Sequence, residues 1–418
     1  MRSGSKPRPV HRPAAGLLRA IYLPRSADAA AFAMATYTIP MLVLATTGSA
    51  ALTGLAFMLE WIPRLMAFGL AGAVVDRYGT IRVFRLASVA RAVVVGIAAV
   101  ALACADGTLA GTVTVMLLAA IVGTVTEFSY IATETAGAVA SREDGERAHR
   151  VQSVLLGIDQ VAAFAGPALG GLLLQGAGPT ALLATIGTVS ALAALLAPQL
   201  AEARPDPAPV PVVQGLRTGW STLRSLPTLA WLVAGLAISN LVTATLQAAA
   251  PVTVVQRFGY SSASTGLVWT AAAAASLLTV AACRFAIDCW GLWPVGALAA
   301  TVATGAGLAV AQARTYPAYL VLVAILMAGE GGMTVVLRTL RSRLVPPAVF
   351  GSTLALTILI ILIPLPLAGA LVALTPPAAL GHMITACAVL QGLGLAAAFT
   401  RLRTDPALRP APAASPVR

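Results

Sequence analysis

The sequence predicts an all-α membrane protein of twelve transmembrane helices, arranged as two repeats of six. Three observations carry that prediction. The 418 residues are 58% hydrophobic and only 10% charged, whereas a soluble domain carries roughly 25% charged residues; mean hydropathy is +0.87. The apolar residues gather in twelve stretches of about twenty, the length at which an α-helix crosses the ~30 Å hydrocarbon layer with its backbone polar groups satisfied internally. The charges collect in alternate gaps between those stretches, and the longest polar interval falls in the middle.

In chain order, segment 1 spans 26–47 and holds Asp28 and Tyr37, and segment 2 spans 50–72. Segment 2 carries Glu60 and Arg64, four residues apart and so on one helix face, where they are expected to pair. Segment 3 spans 84–104; segment 4, 109–134, carries Glu127, Tyr130 and Glu134; segment 5 spans 151–174 and segment 6 spans 179–200. The interval 201–226, AEARPDPAPVPVVQGLRTGWSTLRSL, reads as a central loop because its proline run disfavours helix. Segment 7 (227–250) holds Asn240 and Gln247, and segment 10 (316–338) holds Glu330; the others are 263–285, 292–312, 352–374 and 379–400.

Of the 27 Lys and Arg, 24 are assigned to the N-terminal tail, the even-numbered turns, the central loop and the C-terminal tail, with Arg85, Arg91, Arg284 and Arg338, which lie within segments, counted with the turns beside them. Only Arg257 and Arg314 fall in the opposite loops, with Arg64 inside segment 2. Such asymmetry places the basic loops in the cytoplasm. The expected layout is a cytoplasmic tail 1–25, a bundle 26–200, a cytoplasmic loop 201–226, a second bundle 227–400 and a cytoplasmic tail 401–418, in the plasma membrane. The net charge of +12 therefore reads as topology, with the basic tail touching anionic lipid, and nucleic acid is not an expected partner. A cleaved signal peptide is not expected, because the first apolar segment is too long. Cys104, Cys283, Cys289 and Cys387 show no CxxC spacing, and His11, His149 and His382 form no ligand cluster. No P-loop, hydrolase elbow or metal site is present, so neither a metal nor a cofactor is expected, and no enzyme activity.

The two halves share punctuation. GAVVDRYG at 72–79 is echoed by RFAIDCWG at 284–291, and SREDGERAHRVQS at 141–153 by SRLVPPAVFGST at 342–353, with Arg142 matching Arg343. Offsets of about 200–212 residues recur along the chain, as a repeated six-helix unit requires, and such units bind solutes near the midplane between them.

The turn between segments 2 and 3 reads GxxxDRxGxxR on Gly72, Asp76, Arg77, Gly79 and Arg82. At that position it resembles motif A of the major facilitator superfamily, although Thr80 and Ile81 stand where the family usually has basic residues. Physically, Gly72 permits close helix approach and Gly79 the positive φ of a tight turn. Asp76 is an anion suited to a helix N-terminus; the resemblance implies that this is the start of helix 11, near Phe350–Thr353. The alternative is that the arginines only fix topology. In segment 5, IDQVAAFAGPALGGLLL carries Gly166, Pro167, Gly170 and Gly171, which match the core of the antiporter motif of drug-exporting members, and Gly157 fits the glycine that begins the longer pattern. Ordinary small-residue packing is the alternative. Segment 5 and the SADAA start of segment 1 also resemble siderophore and macrolide exporters.

That resemblance implies a monomeric transporter with helices 1, 4, 7 and 10 around a central cavity. A charge in the membrane costs roughly 2.5–3.5 kcal/mol on insertion scales, so it faces a cavity or a partner. Asp28, Glu127 and Glu330 are accordingly the candidates for carrying protons, because burial favours the neutral form of a carboxyl group. Glu134, near the cytoplasmic end, reads equally well as solvated. No arginine occupies segment 4, where exporters of this family often carry one. Tyr37, Tyr130, Asn240 and Gln247 are the candidate polar points of an otherwise apolar cavity, each equally readable as an interhelical hydrogen bond. The expected function is proton-coupled efflux of a hydrophobic or amphiphilic small molecule; the alternatives are an importer on the same fold and a non-transporting membrane receptor or enzyme.

Overall fold

A computed structural model describes residues 18–104, 108–143, 148–198, 212–346 and 349–403. The tails 1–17 and 404–418 and the proline run of the central loop lie outside the described residues. Among the described residues, twelve helices are long and apolar enough to cross a membrane. They are α1 (Leu23–Thr47, preceded by a π-helical turn Leu18–Tyr22), α2 (Ala50–Tyr78), α3 (Thr80–Ala103), α4 (Thr108–Glu143), α5 (Ala148–Gly176), α6 (Gly178–Leu196), α7 (Pro227–Pro251, continued by a π-helical turn Val252–Arg257), α8 (Ser262–Trp290), α9 (Leu292–Ala311), α10 (Tyr316–Leu344), α11 (Phe350–Leu374) and α12 (Leu380–Leu402). Several run past the apolar segments, as α2, α4, α8 and α10 do at the charged turns. Hydropathy marks only the part of a helix that lies in lipid, while the i→i−4 hydrogen bonds continue beyond it.

The repeat recurs in the backbone. Gly79 and Gly291 hold φ of 88° and 86° and close α2 and α8 by donating to the carbonyls of Val75 (2.9 Å) and Ile287 (2.8 Å). A side chain at either position would be strained. At the other end of these helices Ser49 and Ser261 are N-caps, accepting from the backbone N–H of Leu52 and Ser264, each at 3.3 Å. Gly79 thus acts as the sequence suggests. Gly72 does not: nothing lies within 4 Å of where its Cβ would stand, so no helix approaches it.

The central interval also departs from expectation. A helix, Val212–Ser225, follows the proline run. Its Gly219 has no room for a Cβ, which would meet the Ser352 carbonyl oxygen at 2.5 Å, and Val212 lies against Gly69 of α2. This surface helix therefore rests on the start of α11 and touches the first half. The prolines end before it begins, so they break the chain only on its N-terminal side.

The halves meet at the Gly48 end of the bundle and part at the Gly79 end. At the meeting end α2 packs on the second part of α11 (Pro364–Leu374), and α5 on α8. These contacts are backbone against backbone. A Cβ on Gly369 would meet the Met58 nitrogen at 2.6 Å, one on Gly171 the Ser262 carbonyl oxygen at 2.5 Å, and those on Gly54 and Gly266 would collide with α11 and with the carbonyl of Pro167. Thr270 donates to the Phe164 carbonyl (2.7 Å) and Gln256 to that of Gly48 (2.8 Å). At the parting end the first part of α11 (Phe350–Leu362) packs on the surface helix instead of α2. The two parts of α11 divide at Ile363, ahead of Pro364 and Pro366, which supply no N–H to the helix.

Gly54→Ala or Gly266→Ala inserts a methyl group into that backbone interface, at an overpacking cost of about 1–3 kcal/mol. Each variant should fold yet lose closure. In a background free of other cysteines, Gln256→Cys should label faster with a water-soluble maleimide once either change is added. Unchanged labelling and flux would show that the close approach is dispensable.

Candidate functional site

Arg91 is the most deeply buried charge of the first half, with its side chain fully buried and that of Asp28 only 4% exposed. From the middle of α3 its guanidinium donates to Asp28 Oδ1 of α1 (2.6 Å), Ser190 Oγ of α6 (2.9 Å) and Ser129 Oγ of α4 (3.4 Å). A guanidinium offers five N–H donors in a fixed plane, so one side chain ties four helices. By sequence position Arg91 was assigned to the charged turn before α3; its place well inside an apolar segment was the signal that set it apart. Asp28 faces this cluster within the first half.

A second pair joins α2 and α4. Arg64 Nε donates to Glu127 Oε2 at 2.8 Å, both side chains buried. The guanidinium also lies 4.3 Å from the Trp61 ring centroid and 4.9 Å from that of Phe32, where the ring faces attract a cation. The expected Glu60–Arg64 pair gives way to this one. Glu60 is buried, and its Oε2 has no partner among the described residues. Intrahelical spacing brings Glu60 near Arg64, but the carboxylate across the helix interface lines up with Nε. The cation that segment 4 lacks is supplied to α4 by α2.

Toward the parting end lies a cavity of about 340 Å³, reached by Arg25, Tyr130, Glu134, Asp159 and, from the second half, Arg338. Arg25 Nη2 donates to Glu134 Oε1 (2.8 Å) and Asp159 Oδ2 (2.7 Å), Nε donates to Asp159 Oδ1 (2.9 Å), and Nη1 to the Thr133 hydroxyl. The guanidinium sits 5.8 Å from the Tyr130 ring, which stacks on Phe32. Glu134 is therefore bonded as well as part-exposed, and Arg25, read as part of the basic tail, is a buried member of the site. The expected apolar cavity with scattered polar points is corrected here. Its wall carries two acids and two arginines, because Arg25 and Arg338 reach in from segment ends that sequence position assigns to the water.

The second half carries a counterpart whose acid meets uncharged partners. Glu330 of α10 accepts at Oε1 from the Ser239 hydroxyl of α7 and from Gln391 Nε2 of α12 (3.3 Å), and Gln391 also donates to Ser239 (2.6 Å). No ion pair reaches Glu330 among the described residues. Asn240 donates to the Ile361 carbonyl at 2.7 Å, an interhelical bond at the break in α11. Tyr37 meets Trp269 of α8 with ring centroids 5.5 Å apart, part of the seam between halves. Gln247 is half-buried on α7, with no bond among those described.

The helix 5 residues are contact points. A Cβ on Gly166 would meet that of Ala33 at 2.7 Å, Gly170 lies against Thr38, and Gly171 and Pro167 face α8. Gly157, exposed and with nothing within 4 Å, stands outside that packing. Asp76, Arg77 and Arg82 are exposed. Among the described residues no hydrogen bond or ion pair joins Asp76 to Phe350–Thr353, so the docking implied by the motif is not made. The reason is geometric, since the halves are parted at that end.

Two six-helix halves, joined at one end and opened at the other over a charged cavity, define a membrane transporter. The chain belongs to the Major Facilitator Superfamily, whose profile matches residues 26–361. Similar solved structures include the nucleoside transporter NupG (TM-score 0.71, 11% identity, 90% of this chain and 99% of that one). A bacterial homologue of the human lysosomal transporter Spinster, inward-facing and unoccupied, matches with TM-score 0.69 at 15% identity over 95% and 98% of the two chains. A bacterial homologue of the iron transporter ferroportin, inward-facing, gives 0.67 at 16% over 91% and 97%. At these identities the likeness shows the fold. No curated protein sequence matches the chain.

Asp28→Asn leaves Arg91 buried without its anion, which costs about 3–5 kcal/mol. The purified variant should melt well below the parent protein. Asp159→Asn, whose carboxylate is part-exposed and shares Arg25 with Glu134, should cost under about 1 kcal/mol. Equal melting of the two variants would remove Arg91 from its organising role.

Proposed function

We propose that the protein is a secondary transporter that exports an amphiphilic small molecule in exchange for protons, by alternating access. The observation that carries the proton arm is the contrast among the three carboxyl groups expected from the sequence to carry protons; Glu60, buried as well, has the Arg64 cation one turn away on its own helix. Asp28 and Glu127 each have an arginine within hydrogen-bond distance, so their charge is already balanced. Glu330 has only a hydroxyl and an amide. A carboxylate without a counter-cation in the membrane needs a proton to neutralise it. Glu330 is therefore the proposed proton carrier, with Glu127 and Asp28 as charge-paired supports. Export rests on the helix 5 glycines and Pro167, whose pattern resembles that of drug-exporting members. The charged wall near Arg25 and Arg338 suits a substrate with a polar or ionised group on an apolar body. Uptake of a polar solute is the second reading, and the same charged wall supports it.

With both termini in the cytoplasm, as the charge asymmetry implies, the parting end faces inward. The Asp76 turn then acts in the opposite state, where closure brings it to the start of α11. A carboxylate at a helix N-terminus contributes about 0.3–1 kcal/mol, up to ~2 when partly buried. Asp76→Asn should lower flux several-fold with normal membrane expression, while leaving the closed Gly48 end intact.

The deciding experiment is flux of erythromycin, ethidium and desferrioxamine into inside-out vesicles under an imposed pH gradient. Accumulation driven by an acidic lumen supports export; movement of solute with the protons, in the same direction, supports uptake. Glu330→Gln should abolish gradient-driven flux but keep substrate exchange. Full gradient-driven flux in Glu330→Gln would return the role to Glu127 or Asp28.

A further inference from the structure

A second cavity, of about 410 Å³, lies in the other half of the molecule, at the end where the halves meet. It is framed by the π-helical turn after α7, the end of α9, the first turn of α10 and the start of α12, away from the site just described. Its polar lining is Thr253, Gln256, Arg257, Gln312, Tyr319 and His382, with no acidic residue among them. The remaining wall is apolar, with Val310 and Ile384 among its members.

Tyr319 is the informative residue. It is 1% exposed, its ring packs edge-on against Phe258 at 5.8 Å, and its hydroxyl has no hydrogen-bond partner among the described residues. Burying a hydroxyl without a partner is costly, and phenylalanine would fill the same space without that cost. A tyrosine kept there, lining a cavity, points to a hydrogen bond made to something that enters it. Arg257 reaches the same cavity; one guanidinium nitrogen donates to the Ala313 carbonyl at 3.1 Å, which leaves other N–H groups available. Gln256 and Gln312 are occupied, by the Gly48 carbonyl (2.8 Å) and the Thr385 hydroxyl (3.2 Å).

We propose that this cavity is a binding site for a small oxyanion with a short apolar body, held by Arg257 and the Tyr319 hydroxyl, with His382 at its exposed rim. The groups offered are donors, the cavity carries positive charge, and its apolar half accommodates a ring or short chain. The site does not depend on the direction of transport or on proton coupling. The oxyanion is either a soluble carboxylate or the phosphate head of a lipid, since both satisfy the same donors.

The test is thermal melting of the purified full-length protein with sodium benzoate against equimolar sodium chloride, in nanodiscs of phosphatidylcholine or phosphatidylglycerol. Benzoate should raise the melting temperature in phosphatidylcholine by mass action. Persistence of the shift in phosphatidylglycerol identifies a soluble anion as the natural class, and its loss there identifies the lipid head. Tyr319→Phe should melt no lower than the parent without benzoate and bind benzoate about tenfold more weakly, as expected for loss of a charge-assisted hydrogen bond. Arg257→Gln should weaken it similarly. The proposal is overturned if benzoate never shifts the parent protein in phosphatidylcholine, or if Tyr319→Phe binds it as tightly as the parent.

Discussion

The first half depends on one buried guanidinium. Arg91 sits in the part of α3 where a lone charge would be costly, and the cost is offset because Asp28, Ser129 and Ser190 all point at it. Those partners belong to α1, α4 and α6, so the position of each helix is tied to one planar group. The second half uses the equivalent helices α7, α10 and α12 for its own polar contact, and there Ser239, Glu330 and Gln391 meet without a cation. One architecture therefore holds its acid in two ways. In the first half the acid meets an arginine; in the second it meets only a hydroxyl and an amide among the described residues.

This division bears on how the molecule changes shape. The first half is braced internally by an ion pair and several hydroxyls, and alternating access, as proposed, would place the change of shape at the seam between halves. The seam is closed by glycines whose backbones touch those of the facing helices. Such contacts carry no long side chains that would have to rearrange on opening. The polar cavity at the opposite end belongs to both halves, with Arg25, Glu134 and Asp159 from one and Arg338 from the other. Closing that end brings a cation toward two acids.

Much of this was legible in the sequence. Twelve spans, the six-plus-six repeat and the Gly79 turn follow from hydropathy, charge and the demand for positive φ. What escaped was pairing between spans. Position assigned Arg25 to a basic tail, because an arginine near a segment end reads the same whether it snorkels to water or turns inward, and Arg91 was grouped with the neighbouring basic turn although it lies well inside its segment. Arg64 was matched with Glu60 through helical spacing, whereas the partner across the interface, Glu127, depends on how α2 and α4 are rotated. The surface helix was hidden by the prolines before it, and the cavity's polarity by residues that reach it from helix ends. The assignment of Gly72 to a close approach failed because a glycine reports that contact is permitted, and contact also needs a neighbour.

The break in α11 has a mechanical consequence. Asn240 holds the carbonyl of Ile361 at 2.7 Å, which pins the break to α7 while the part beyond it stays packed on α2. The part before it, Phe350–Leu362, has 13 residues and is about 20 Å long at 1.5 Å per residue. It forms a lever with a fixed fulcrum. A tilt of about 10° at Ile363 moves its free tip by roughly 3–4 Å over an arm of that length, more than the width of a water molecule. The surface helix rides on that tip, so a small angular change at the pivot is delivered to the segment that joins the two halves.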